Sequence, residues 1–94
     1  MESNVSKAIK SLGYVLLEEE AGRYVFKKTN ANTFSTLSFN TSNKYIHAFL
    51  FPIRTIEEQR DITLIYADYK KMIEEIQYLS KLTGYSIINN IEKD

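Results

Sequence analysis

The chain has 94 residues, 44% hydrophobic and 26% charged, with twelve basic against twelve acidic side chains and no cysteine. A chain of this length makes one domain, 1–94, with a modest core, and its composition is that of a globular rather than a disordered sequence. Balanced charge gives no bulk attraction to nucleic acid or to a membrane surface, and the missing cysteines exclude disulfides, thiolate metal sites and cysteine nucleophiles.

The amino end, Met1 to Gly13, lacks the apolar run of a signal peptide. No stretch approaches the roughly 18 apolar residues of a spanning helix, so the expected location is cytoplasmic, with no membrane partner. Lysine outnumbers arginine nine to three, and isoleucine and asparagine are abundant. That usage suggests an AT-rich bacterial or phage gene.

The first element reads as a short helix, capped by Ser3 or Asn4, with Val5, Ala8, Ile9 and Leu12 on one face and Gly13 as its stop. Tyr14 to Glu19 reads as a strand, with Val15 and Leu17 on one face and Tyr14 and Leu16 on the other. Ala21-Gly22 supplies a tight turn into a second strand, Arg23 to Lys28. The polar stretch Thr29 to Thr33 connects to a third strand, Phe34 to Phe39. A further turn, Asn40 to Asn43, leads into the strongest strand, Lys44 to Phe51, which Pro52 ends.

A long amphipathic helix follows, from about Thr55 to Thr83. Thr55 and Glu58 have capping-box spacing, Glu57, Glu58 and Asp61 suit the positive end of the helix dipole, and Gly84 suits the C′ position. Ile62, Ile65, Tyr69, Met72, Ile76 and Leu79 recur at intervals of three and four, the period of one buried stripe. A second, thinner row, Leu64, Ala67, Tyr78 and Leu82, interrupted by Lys71, is expected opposite it. Residues 85–94 form a short terminal element or tail, for which periodicity does not separate strand from helical turn.

The expected class is therefore α+β in the order α-β-β-β-β-α, an antiparallel meander with both helices on one face. The order is similar to that of double-stranded-RNA-binding domains, which place three strands between two helices. Their last helix opens on lysines, whereas this one opens on Glu57, Glu58 and Asp61, so the likeness is one of topology. The segment Leu79 to Ser86 resembles the turn of phage-repressor helix-turn-helix domains, with a loose echo at Ile91-Glu92. The strands upstream do not belong to that fold, and Thr83-Gly84 reads as a helix stop.

No catalytic, cofactor-binding or metal-binding set emerges. His47, the single histidine, falls on a strand face with Tyr45, Phe49 and Phe51, where a structural ring hydrogen-bonded among aromatics is expected. Glu18, Glu19 and Glu20 alternate between strand faces and do not converge on a cation. An enzyme is not expected, and no cofactor is implied. Two surfaces remain. The first is the row Leu64, Ala67, Lys71, Tyr78 and Leu82. A helix of about 28 residues is ~42 Å long, against a diameter of ~32 Å for a compact chain of this size, so it should overhang its sheet and bury its outer turns against a partner. The second is an aromatic and basic face, Arg23, Tyr24, Phe26, Lys27, Lys28, Lys44 and Tyr45, able in principle to stack bases and hold phosphates. Protein contact is preferred over nucleic acid because the net charge is zero. The expectation is a small non-enzymatic protein-binding or inhibitory factor of a phage or mobile element, a homodimer or one half of a heterologous complex.

Overall fold

The computed structural model describes residues 1–53 and 57–89. The elements run α1 (Ser3–Ser11), β1 (Val15–Glu20), β2 (Arg23–Thr29), β3 (Thr33–Asn40), β4 (Tyr45–Pro52), α2 (Gln59–Thr83) and β5 (Ser86–Asn89). β1 to β4 form the expected antiparallel meander in sequential order. β5 extends it by pairing parallel to β4, with Ile46 beside Ile87, so the five-stranded sheet is mixed. Parallel neighbours need a long crossover, and α2 supplies it.

Local chemistry sets the boundaries. α1 begins one residue earlier than a Ser3 cap implies and two earlier than an Asn4 cap implies: Glu2 is the N-cap, and its carbonyl accepts the Ser6 N–H at 3.0 Å. Gly13, at φ 100°, turns the chain out of the helix in a conformation that L side chains rarely adopt. In the β3–β4 turn the Asn40 side-chain oxygen accepts the N–H groups of Ser42 and Asn43 at 3.0 and 2.8 Å, and Lys44 closes the loop at φ 61°.

α2 starts at Gln59 rather than near Thr55, which lies outside the described residues. Its N-cap is Glu58, in a reciprocal capping box with Asp61, whose carboxylate accepts the N–H groups of Glu57 and Glu58 at 3.1 and 3.3 Å. Gly84 ends the helix at φ 79°.

The core lies between the helices and one sheet face. Val5 and Ile9 of α1 meet Met72, Ile76 and Leu79 of α2 over Phe26, Leu37, Phe39, Ile46 and Ala48. Cross-strand register places Phe26, Leu37 and Ala48 in one row, and Tyr24, Phe39, Ile46 and Ile87 in the next. Phe26 and Phe39 meet edge to face at 5.7 Å. Among the described residues the opposite sheet face carries no helix.

The expected stripe on α2 holds from Ile65 to Leu79, but Ile62 is exposed. The helix outruns its sheet: 25 residues span ~37 Å, and the molecule measures 41 × 23 × 20 Å with a radius of gyration of 13.5 Å. The first two turns, where Ile62, Leu64 and Tyr66 are exposed, form the overhang.

The alternation expected for β1 fails. Tyr14 precedes the strand and is fully buried, while Val15, Leu16 and Leu17 are all exposed. A bulge between Leu16 and Glu18 breaks the two-residue period, so no single face of β1 points at the core.

Candidate functional site

Leu64, Ala67, Lys71, Tyr78 and Leu82 all lie on the surface of α2. At 100° per residue they share one narrow stripe, centred about 100° around the helix from the stripe that covers the sheet. They therefore flank the buried face and do not lie opposite it. Leu64, Tyr78 and Leu82 retain 37, 51 and 38% of their accessible surface. Tyr78 also borders an open depression of about 520 Å³, whose other lining residues are Gln77, Ser80, Lys81 and Ile87. The apolar members fall in two groups, Leu64 and Ala67 near the start of the helix and Tyr78 and Leu82 near its end, with Lys71 between them.

The aromatic and basic set does not form one face. Strand parity sends Tyr24, Phe26 and Lys28 beneath the helices and Arg23, Lys27 and Tyr45 to the open side. Phe26 is 1% exposed and belongs to the core. Each of the four cations has an internal partner. Arg23 pairs with Glu18 at 3.6 Å, Lys28 pairs with Glu75, Lys27 sits 4.6 Å from the centre of the Phe34 ring, and Lys44 sits 5.7 Å from that of Tyr85. The open face carries a different aromatic group: His47 stacks on Phe49 at 5.2 Å, Phe49 and Phe51 are near-parallel at 6.1 Å, and Phe51 stacks on Phe34 at 5.0 Å. These offset stacks engage part of each ring face with its neighbour.

His47 is half-buried among aromatics, as its strand position implies. Ring stacking on Phe49 takes the place of the expected hydrogen bond, which is not made to any described residue. Glu18, Glu19 and Glu20 pair in register with Val25, Tyr24 and Arg23, so successive carboxylates turn to different sides. Among the described residues no three His, Cys, Asp or Glu side chains come together as a metal site.

A polar seam beneath α2 escaped the sequence reading. The Tyr14 hydroxyl donates to Glu75 Oε1 at 3.2 Å, and the Lys28 ammonium binds Glu75 Oε2. Burial first, and then the adjacent Glu75 carboxylate, holds the Tyr14 hydroxyl above the ordinary phenol range. One turn-pair earlier, Asp68 Oδ2 accepts the Asn32 N–H at 3.2 Å and the Thr33 hydroxyl at 2.9 Å. Asp61, Asp68 and Glu75 stand seven residues apart, and seven residues are close to two helical turns. All three therefore lie on the inward stripe, one closing the helix cap and two tying α2 to the strands. Acidic residues in phase with an apolar stripe were the available signal.

Comparison of the chain with protein-family models, with curated proteins and with solved structures gave no match. Any functional reading therefore rests on the chain's own surfaces.

Proposed function

We propose that this is a small non-enzymatic protein that acts by occupying another protein, and that the uncovered row on α2 is its contact surface. The observation that carries the reading is the exposure of Leu64, Tyr78 and Leu82 along a helix that also overhangs its sheet. A helix stabilised only by its own sheet needs a single buried stripe; a second apolar row gains from a partner. The partner is a second copy of the chain, a heterologous protein, or both in turn. The size and the lysine-, isoleucine- and asparagine-rich composition fit an accessory or inhibitory factor of a phage or mobile element, working in the cytoplasm.

The test is light scattering coupled to gel filtration at high micromolar concentration. The wild-type chain is expected to run as a dimer, and the Leu64→Glu/Leu82→Glu variant as a folded monomer with unchanged circular dichroism. A monomeric wild type removes self-association. A heterologous complex that forms equally well with the double variant removes the α2 surface.

The open sheet face supports a second reading, nucleic-acid binding, because Phe34, Phe49 and Phe51 lie beside Lys27 there. We rank it below protein contact because the nearby cations already have internal partners.

A further inference from the structure

β1 is an edge strand of the sheet: among the described residues it pairs only with β2, and its outer backbone groups face no other strand. Protein sheets ordinarily blunt such an edge with charge, a bulge or a covering element. Here the blunting is one-sided. Glu18, Glu19 and Glu20 and the bulge protect the carboxyl-terminal half, while Val15, Leu16 and Leu17 keep 59, 42 and 59% of their accessible surface. Three consecutive exposed apolar residues are unusual outside a functional contact. Val15 pairs beside Lys27 on the open side and Leu16 beside Phe26 on the helix side, so their exposure covers both sides of the strand, a pattern that neither the core nor the open aromatic face explains.

We propose that β1 receives an extended strand from a heterologous protein by edge addition, and that this strand is basic in its first half and apolar in its second. Backbone hydrogen bonding supplies the affinity in such contacts, and the flanking side chains supply the choice of partner. An antiparallel guest brings its amino-terminal half against Glu18 to Glu20 and its carboxyl-terminal half against Val15 to Leu17. Lysines or arginines in the first half then face carboxylates, of which Glu19 and Glu20 have no cation in ion-pair range among the described residues. A second copy of the chain does not satisfy the same edge. Antiparallel self-pairing centred on Leu17 sets Glu18 against Leu16 and Glu19 against Val15, leaving the carboxylates without cations. The surface is separate from the row on α2, so the chain has two contact regions of different chemistry.

The probe is a disulfide-cyclised β-hairpin peptide whose outward strand reads KTKVTV; cyclisation removes most of the ordering penalty of a free peptide. It is titrated into the nitrogen-15-labelled full chain and followed by amide shifts and amide exchange. The expected result is perturbation and slowed exchange concentrated at Val15 to Glu20. Binding should weaken about tenfold or more for the hairpin ETEVTV, and for a Leu16→Lys/Leu17→Lys chain whose β2–β4 amides are unchanged. The Leu64→Glu/Leu82→Glu variant should bind the probe normally, which separates this proposal from the reading of α2. Perturbation centred elsewhere, no binding at millimolar probe, or indifference to the charge reversal overturns it. So does a wild-type dimer that Leu17→Lys dissolves, since the edge then belongs to a second copy.

Discussion

Glu75→Leu should be among the most damaging single substitutions in the domain, although Glu75 sits on a helix whose outer face is solvated. The side chains of Glu75 and Lys28 are only 9 and 12% exposed, and Tyr14 is buried against the same carboxylate. Replacing Glu75 with leucine leaves an ammonium and a phenol hydroxyl in a low-dielectric seam without their acceptor. Breaking a buried pair from one side costs about 3–5 kcal/mol. A domain of 94 residues has an unfolding entropy of ~0.2 kcal/mol/K, so the melting temperature should fall by about 15–25 °C. The Lys28→Met/Glu75→Leu chain removes both charges and should recover most of the loss, to within about 1–2 kcal/mol of wild type. Urea unfolding followed by circular dichroism on wild type, both single variants and the double variant gives the coupling energy directly. A Glu75→Leu loss under about 1 kcal/mol, the range of an exposed ion pair, would refute the claim that this seam locks α2 to the sheet.

Three further outcomes are expected. Tyr14 should make the fold alkali-sensitive: above pH ~10 the unfolded chain releases the phenolic proton and the folded chain keeps it, so stability falls by up to about 1.4 kcal/mol per pH unit, a slope that Tyr14→Phe removes in a pH series of melts. His47→Gln should lower stability by about 1 kcal/mol through lost stacking on Phe49 while sparing partner binding. Loss of a measured activity at an unchanged melting temperature would instead give His47 a chemical role. Fluorescence anisotropy with short labelled DNA and RNA should show no binding at physiological salt. Submicromolar binding that falls with a log–log salt slope of about −0.7 per phosphate and is lost in Lys27→Glu would favour the nucleic-acid reading.

The elements themselves were legible in the residues because their signals are local. Gly13, Gly22 and Gly84 mark two helix ends and a hairpin, and all three adopt positive φ. The spacing from Ile65 to Leu79 gives a helix stripe that needs no knowledge of what it covers. Antiparallel neighbours joined by short turns follow from the same local signals, and so does the overhang, since helix length and chain size are both simple functions of residue number. Local signals fail where partners are distant in sequence. Ile87 becomes a strand residue only by lying beside Ile46, across a 25-residue helix. Side-chain parity along β2 divides Lys27 from Lys28, but which parity faces the helices depends on where α1 and α2 dock. That is why the basic and aromatic residues read as one face came apart into two. Val15 and Leu16 keep regular register with β2 and are nevertheless exposed on the edge strand, and the bulge falls at Leu17; neither is encoded by a pattern within β1. Tyr14, Lys28 and Glu75 are separated by up to 61 residues, and only the packed fold brings one carboxylate to both a phenol and an ammonium. Sequence periodicity determines which residues share a face; the tertiary structure decides which face is buried, because burial is a property of the partner as much as of the strand.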